Sequence, residues 1–284
     1  AVGSAYTLMT FLTSVIIGLC MGSGAVFSVY FGKKDMEQMK RSMCASFLFI
    51  AVISLIMNGA VFLGIHMILR LLQVPQEVYR VMFEYVWVIF FGIFFVFLYN
   101  YFAFLLRAVG NSLAPLCFLG CAAVLNIVLD LVFVVSFSWG VRGAAFATVL
   151  SQAMSGLGIG LYAWFGMPEL RPGIMQLRCG RRTVLEIVRH SAAACIQQSV
   201  MNFGILMIQG LVNSFGTVVM AAFAAAVKID SFAYMPAQEF GNAFSLFISQ
   251  NHGAGKGDRV KRGMKRAAQV SMSFCAFISV LIFV

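Results

Sequence analysis

Charged residues are scarce in this chain. Lys, Arg, Asp and Glu make up 11% of its 284 residues, 61% of the residues are hydrophobic, and the mean hydropathy is +0.93. A soluble domain of this length could not cover so much apolar surface. The composition therefore excludes a soluble globular domain and predicts a polytopic membrane protein.

The residue patterns that metal and hydrolytic chemistry require are also missing. The seven cysteines form no CxxC pair, and most lie in apolar runs, where Cys behaves as a small hydrophobic residue. His66, His190 and His252 lie at loop or span ends, and none has an acid at metal-binding spacing. There is no GxSxG, HExxH or phosphate loop. We therefore expect no enzyme, no bound metal, no disulfide framework and no cofactor.

Long uncharged runs dominate instead. A membrane-spanning helix needs ~20 apolar residues, and we predict eight such spans. They are 4–31, 43–65, 81–106, 113–136, 143–165, 191–213, 217–248 and 267–284. The uncharged run 191–227 is too long for one span, and the sequence NSFG at 213–216 predicts the turn that divides it. The chain lacks an initiator Met and stops in mid-run, so we expect it to be a fragment of a longer protein.

The basic residues are distributed unevenly between the loops. Sixteen of the 20 Lys and Arg residues fall in alternate loops and three in the intervening ones, with Lys228 inside a span. The positive-inside rule then puts residue 1 outside and the loops at 32–42, 168–190 and 252–266 in the cytoplasm. This clustering between apolar runs indicates a membrane partner and argues against nucleic acid, despite the net charge of +10. Binding of lipid head groups is the alternative explanation for the cluster at 256–266.

Two of the predicted cytoplasmic loops resemble each other. The stretch SVYFGKKDMEQMKR at 28–41 and the stretch SQNHGAGKGDRVKR at 249–262 both pass from Ser to Gly and then to Asp and a Lys-Arg pair. The interval along the chain from Ser28 to Ser249 equals that from Gly32 to Gly253. Six spans separate the two copies. The match favours two parallel halves of six spans each, an arrangement found in secondary transporters.

Several segments resemble the MATE (multidrug and toxic compound extrusion) family in order and spacing. They are the first 35 residues, FLYNYFAFLLRAVGNSLAPL, LNIVLDLVFV, GVRGAAFATVLSQ and FISQNHGAGKGDRVKR. The resemblance implies an all-α bundle of twelve helices in two lobes around a central cavity, with cation-driven drug export. It assigns 1–165 to helices 2–6 of the N-terminal lobe, 166–190 to a cytoplasmic linker and 191–284 to helices 7–9 of the C-terminal lobe.

The spacing of Asn126 and Asp130 is similar to that of the DinF-like branch of this family. The resemblance implies that these two residues form a proton or cation site with an Asp of the first helix. The NorM-like branch relies on a carboxylate in the seventh helix. The corresponding span here, SAAACIQQSVMNFGILMIQG at 191–210, has none.

Asn126 and Asp130 lie four residues apart and so share one face of a helix. Asp130 lies ~26 Å along its span from residue 113, in the predicted outer half. A charged Asp facing lipid would cost at least ~2.5 kcal/mol, so we expect it to face a wet cavity or a partner. An amide oxygen and a carboxylate suit Na+ or a proton relay. The alternative is an acid paired for packing, but no Lys or Arg lies nearby in this span.

The stretch 224–244 is a second polar island. Lys228 and Asp230 are two residues apart and point to different helix faces. Pro236 is expected to break or kink the helix, and freed backbone in a membrane must line a cavity or be covered. Lys228, Asp230, Pro236 and Glu239 are therefore candidates for lining the cavity of the second lobe. An inter-helix salt bridge that fixes packing is the alternative.

Other amides lie inside the spans. The further candidates for cavity lining are Gln198, Asn202, Gln209 and Asn100. Interhelical hydrogen bonding is the alternative for these side chains.

The function predicted from these features is that of an antiporter in the bacterial inner membrane. It would use H+ or Na+ as coupling ion, export amphipathic or cationic drug-like molecules by alternating access, and act as a monomer. A flippase for lipid-linked saccharides is the alternative within the superfamily, and an intramembrane enzyme is the alternative from a different class. A flippase is expected to have more basic residues facing the centre, whereas only Lys228 is clearly intramembrane here.

Overall fold

The computed structural model describes residues 2–71, 76–173, 176 and 180–283. Within these ranges the chain is helical and has no strand, which confirms the predicted all-α class. The α-helices are α1 (Val2–Gly32), α2 (Met36–Leu71), α3 (Gln76–Ile89), α4 (Ile93–Ala108), α5 (Leu113–Asp130), α6 (Gly140–Gly166), α7 (Arg181–Asn213), α8 (Thr217–Gly253) and α9 (Gly257–Phe283). Short 3-10 helices cover Phe90–Gly92 and Pro168–Leu170, and a π-helix covers Leu131–Ser136.

Each predicted span coincides with a helix or with helices in series. The third span is formed by α3, the 3-10 turn and α4, and the fourth is formed by α5 and the π-helix. Five helical segments of the described chain are long and apolar enough to cross a membrane: Met9–Gly32, Met36–Arg70, Tyr79–Ala108, Leu113–Ser136 and Gly140–Gly166. These confirm a multi-pass membrane protein. For α7, α8 and α9, the membrane crossing stays a prediction.

The turn predicted at 213–216 is confirmed. Helix α7 ends at Asn213 and α8 begins at Thr217. Gly216 between them has a φ of 91°, a conformation that residues with a side chain rarely adopt. A single glycine therefore lets the uncharged run fold into two helices.

The loops that resemble each other in sequence form the same turn. After α1, Lys33 N, Lys34 N and Asp35 N donate to the carbonyls of Val29, Phe31 and Tyr30. After α8, the three amides at the equivalent positions donate to the equivalent carbonyls, and all six bonds measure 2.9–3.0 Å. Lys34 (φ 60°) and Gly255 (φ 70°) both adopt the left-handed conformation that ends many helices. The similarity therefore extends from the residue pattern to the backbone hydrogen bonds.

An aromatic core holds α1, α2 and α4 together. Phe27, Phe97 and Tyr101 are almost fully buried, and the Tyr101 hydroxyl donates to the Met43 carbonyl at 2.7 Å. The Phe27 and Tyr101 rings meet edge to face with centroids 6.0 Å apart. Such packing combines a large buried apolar area with a satisfied hydroxyl.

Helix α1 also packs closely on α7, which belongs to the second half of the chain. A Cβ atom added at Gly22 would lie 2.5 Å from the His190 carbonyl oxygen, so only glycine permits this approach. The Ser23 and Ser191 hydroxyls both donate to the Leu19 carbonyl, at 3.0 and 3.1 Å. Backbone-to-backbone packing of small residues is a common way for membrane helices to associate.

Candidate cation site and inter-lobe contacts

Asp130 is the last α-helical residue of α5, at a change in helix type. The following six residues form the π-helix, in which Phe137 N donates to the Val132 carbonyl at 3.0 Å. A Cβ atom added at Gly143 of α6 would lie 3.0 Å from Phe133 Cβ, so the wide π turn packs on α6 at a glycine. Single π turns are rare and are frequent at functional sites.

The carboxylate of Asp130 is turned away from the most exposed face of its helix. Asp130 is half-buried, whereas Ile127 and Leu131 are 61% and 59% exposed. The Oδ1 atom of Asp130 is buried and has no hydrogen-bond partner among the described residues. Because a buried polar atom without a partner is costly, this oxygen is suited to bind a proton or an ion.

Asn126 is linked to the next helix through Thr148. The Asn126 Nδ2 donates to Thr148 Oγ1 at 3.5 Å, and Thr148 Oγ1 donates to the Ala144 carbonyl at 3.0 Å. The amide nitrogen of Asn126 is thus engaged with the hydroxyl, which leaves its carbonyl oxygen as an acceptor or ligand. Sequence reasoning missed Thr148, because hydroxyl residues occur throughout the spans and nothing local distinguishes this one.

Gln152 extends the polar surface of α6 by one turn. Its Oε1 is buried without a hydrogen-bond partner among the described residues, and a Cβ atom at Gly92 would overlap it. From α3, Tyr85 packs against a small cluster that contains Ala145 of α6. We call these residues the α5–α6 polar cluster: Tyr85, Asn126, Asp130, Thr148 and Gln152. Sequence reasoning also missed Gln152, although its place four residues after Thr148 puts both on one helix face.

An ion pair ties the same helices together on the predicted outer side. Glu84 of α3 lies 3.0 Å from Arg142, near the start of α6, and 3.3 Å from Arg80. The ion pair joins α3 to α6, and the α5–α6 polar cluster lies where α6 also contacts α5. Its carboxylate, amide and hydroxyl oxygens are the ligand types that hard cations prefer.

The helix is not broken at Pro236. Helix α8 runs without interruption from Thr217 to Gly253, with Pro236 inside it and exposed. The structure therefore has no break at this residue, and the kink that was the other expectation stays a prediction. A proline removes one backbone donor and displaces one carbonyl, and the remaining hydrogen bonds of a 37-residue helix keep it continuous.

Glu239 forms the inter-helix ion pair that was the alternative to simple cavity lining. Its Oε2 lies 3.6 Å from Arg107 Nη1 at the end of α4, and its Oε1 accepts a bond from Asn242 Nδ2 at 3.4 Å. Lys228 and Asp230 are in the helical part of α8, but their side chains lie outside the described part of the structure. The structure therefore describes no contact for either of them.

The isolated amides bond within their own helices. Asn100 Nδ2 donates to the Val96 carbonyl at 2.8 Å, and Asn202 Nδ2 donates to the Gln198 carbonyl at 2.9 Å. The Gln198 side chain is buried, and that of Gln209 lies outside the described part. These contacts neither join helices nor bring the amides to the α5–α6 polar cluster.

The two repeated turns contact each other. A Cβ atom at Gly32 would overlap the Gln250 carbonyl oxygen, and one at Gly253 would overlap the Val29 carbonyl oxygen. Val29 and Gln250 are equivalent positions of the repeat, as Gly32 and Gly253 are, so the contact is reciprocal, as expected at a pseudo-two-fold axis. The ends of α1 and α8 therefore meet backbone to backbone on the predicted cytoplasmic side.

Comparison with known proteins identifies the family. The family model MatE matches residues 1–132 and 193–284. The probable multidrug resistance protein YpnP of Bacillus subtilis is 32% identical over 254 residues, which cover 89% of this chain and 57% of that protein. The probable multidrug resistance protein YoeA of the same organism is 27% identical and is matched over 100% of this chain and 63% of its own length. The chain thus spans about three fifths of these relatives.

Solved structures share the fold. An outward-facing multidrug resistance MATE family transporter of the MOP superfamily superposes with a TM-score of 0.86 at 19% identity, covering 99% of this chain and 62% of that one. A MOP superfamily transporter from Pyrococcus furiosus superposes with a TM-score of 0.84 at 20% identity, covering 96% of this chain and 61% of that one. Together with the extent of the MatE match, these findings show that the chain belongs to the multidrug and toxic compound extrusion (MATE) family.

Proposed function

We propose that the chain is part of an antiporter that exports amphipathic or cationic organic compounds across the bacterial inner membrane. The coupling ion is H+ or Na+, and the transporter works as a monomer by alternating access. The observation that carries this proposal is the carboxylate of Asp130, half-buried in a membrane helix, with one buried oxygen that has no partner among the described residues. The names of the two Bacillus subtilis relatives support the substrate class.

In this proposal Asp130 is present because its charge changes during the cycle. With the outer side open, the carboxylate takes a proton or Na+ from outside. A half-buried acid with one unpartnered buried oxygen favours either event, since both remove an uncompensated charge from an apolar environment. Neutralisation weakens the interactions of Asp130 with nearby dipoles, and the helices repack so that substrate is released.

Asn126 and Thr148 serve as a fixed frame for the ion. The bond from Asn126 Nδ2 to Thr148 Oγ1 orients the amide so that its oxygen is free for a cation. This oxygen lies on the same helix face as Asp130, about 6 Å away along the axis. The π-helix beyond Asp130 has non-standard hydrogen bonding, and we place the local change in helix winding in this segment.

The absence of a carboxylate from the sequence at 191–210 favours coupling through the first lobe. In the second lobe, Glu239 is paired with Arg107. That pair is an inter-lobe contact on the proposed cytoplasmic side and has to separate when this side opens. The chain is therefore closer in its acid distribution to the DinF-like branch than to the NorM-like branch.

The test is dye efflux from proteoliposomes that contain the full-length transporter. An imposed proton gradient and an imposed Na+ gradient are applied separately. Asp130→Asn keeps the shape but cannot cycle its charge, so it is expected to bind substrate and lose gradient-driven efflux. Glu169→Gln, which neutralises an exposed acid of the linker, is the matched control and is expected to behave as wild type.

The two gradients separate the possible coupling ions. If only one of the two gradients drives efflux, its ion is the coupling ion. If Asp130→Asn then loses the efflux driven by that gradient, the coupling is assigned to Asp130. Full gradient-driven efflux in Asp130→Asn would show that the acid is structural. Equal losses in Asp130→Asn and Glu169→Gln would show a general effect of removing negative charge.

A further inference from the structure

A cavity of about 850 Å³ lies where the turn after α1 meets the turn after α8. Four basic side chains line it: Lys33 and Lys34 from the turn after α1, Lys256 from the turn after α8, and Arg259 from the first turn of α9. We call this cavity the basic basin. It lies next to the reciprocal contact of Gly32 and Gly253, which also line it.

The basic basin has no acidic lining residue within the described chain. The basic residues that form ion pairs in the described chain are Arg41, Arg80, Arg107 and Arg142, and none of them lines the basin. The nearby Asp35 uses its carboxylate to accept a bond from Gln38 N at 3.0 Å, at the start of α2. Four like charges thus converge without a carboxylate counter-ion within 4 Å in the described chain.

Two of the four cations are held against aromatic rings. Lys33 Nζ lies 5.6 Å from the centre of the Tyr30 ring, and Arg259 Cζ lies 5.9 Å from that of Phe247. These contacts retain each charge beside its own turn but do not neutralise it. Contact between the two turns therefore adds electrostatic repulsion between the two halves of the chain.

The basin exists as one cavity only while the two turns touch. Its walls come from residues 31–36 on one side and from residues 247–259 on the other. Because carbonyl oxygens occupy the space where a Cβ atom would be at Gly32 and Gly253, a larger residue would push the turns apart. Separation would divide the four cations into two pairs.

We propose that the basic basin binds a phosphate-bearing anion and thereby stabilises the closed cytoplasmic side. Lysine and arginine are the usual partners of phosphate oxygens, and the several oxygens of one phosphate group can engage cations from both turns at once. The same chemistry is available from an anionic phospholipid head group and from a soluble phosphate compound. The effect on the closed state rests on the proposed alternating access, whereas binding itself does not.

Binding is tested without a transport assay, by the reactivity of lysines towards an amine-specific reagent and mass spectrometry. The full-length protein is placed in nanodiscs of neutral phosphatidylcholine, with and without inorganic pyrophosphate, and in nanodiscs that contain phosphatidylglycerol. Protection is expected at Lys33, Lys34 and Lys256. It is not expected at Lys261 or Lys265, which belong to the same basic segment but do not line the basin.

The lipid composition identifies the source of the phosphate. Protection by pyrophosphate in neutral nanodiscs indicates a soluble ligand, and protection only with phosphatidylglycerol indicates a head group. Absence of protection in both would overturn the proposal. Equal protection of Lys261 and Lys265 would also overturn it, because it would show diffuse attraction to the whole basic segment.

Variants test whether both turns form one site. The double change Lys34→Gln/Lys256→Gln is expected to weaken binding by about tenfold, since it removes one charge from each turn. The matched control Lys261→Gln/Lys265→Gln removes the same charge and is expected to bind within about twofold of wild type. Equal weakening in both would contradict a defined site.

Gly32→Val keeps every charge and separates the turns. In this variant the anion is expected to protect Lys34 and Lys256 no longer together. Gly253→Ala changes the equivalent glycine of the repeat and is expected to have the same effect in a milder form. Wild-type protection in a folded sample of either would show that the basin does not bridge the two turns. The lysine labelling of the unmodified protein remains decisive if neither variant folds.

Discussion

Arg107, in the last turn of α4, lies 3.6 Å from Glu239 of α8, so an ion pair joins the two halves of the chain. The Arg107 side chain is 27% exposed and that of Glu239 is 62% exposed. Pairs this accessible to solvent contribute little, at most ~1 kcal/mol. A weak contact suits the proposed alternating access, in which the two lobes separate and rejoin at this place.

Removing this pair is expected to shift the proposed equilibrium towards the state open to the cytoplasm. Glu239→Gln should raise cytoplasmic labelling of a cysteine placed beside the Arg107–Glu239 pair by up to about fivefold, as expected for a loss of up to ~1 kcal/mol. The charge reversal Arg107→Glu/Glu239→Arg should restore the wild-type value. If the charge-reversed protein shows the same raised cysteine labelling as Glu239→Gln, Arg107 and Glu239 do not act as a pair.

Thr148→Val is expected to weaken ion coupling while preserving the packing of α5 on α6. Valine has a similar shape but leaves Asn126 Nδ2 without its acceptor, and one lost hydrogen bond corresponds to about a fivefold effect. The measurement is the concentration of coupling ion that gives half-maximal dye efflux. Thr148→Ser retains the hydroxyl and should stay near wild type, and a large effect of Ser would point to the methyl group instead.

Gly22→Val is expected to prevent stable packing of α1 on α7. The added side chain meets the His190 carbonyl oxygen and Ser191 Cα, each 2.5 Å from the first added carbon. The yield of monodisperse protein and its melting temperature report the effect. Gly120→Ala is the control, since no atom lies within 4 Å of an added Cβ there. This helix-interior change should be neutral or stabilising by about 0.5–1 kcal/mol, and a Gly22→Val protein as stable as this control would contradict the close packing.

Pro236→Ala is expected to raise the melting temperature and leave efflux intact. Alanine restores a backbone donor inside α8, and proline is less favourable in a helix interior by up to ~3 kcal/mol. The side chain is exposed, so its loss leaves no cavity. A stable Pro236→Ala protein with impaired efflux would indicate that local weakness of α8 is needed during transport.

The orientation is tested by labelling single cysteines in a cysteine-free background of intact cells. Positions 34 and 256 should react with a membrane-impermeant reagent only after the cells are permeabilised, and position 138 should react before. Labelling of position 34 or 256 in intact cells would overturn the assigned topology.

The positions of the helices were predictable because they depend on local properties of the chain, although α2, α7 and α9 begin well before the predicted spans. Hydropathy over ~20 residues determines whether a segment can cross a membrane. The division at 213–216 followed from turn-forming residues, and Gly216 supplies the required positive φ. The placement of Asn126 and Asp130 on one face followed from the helical period alone. The repeat at Gly32 and Gly253 was likewise visible as a constant spacing.

Local reasoning failed where two opposing effects had to be weighed. Pro236 predicted a break or a kink because proline lacks a backbone donor, but α8 continues through it without a break. The strength of one unfavourable residue was visible in the sequence. The combined effect of the flanking helical hydrogen bonds was not.

The sequence by itself determined an all-α, multi-pass chain with a carboxylate inside a membrane helix and a repeated turn. Only the tertiary structure decided that Asn126 is bonded to Thr148, that Glu239 is paired with Arg107 and that the two repeated turns meet at Gly32 and Gly253. The physical reason is that hydropathy and helical period act along the chain. Partners on different helices depend on how close two backbones can come, which small residues and side-chain shape determine together.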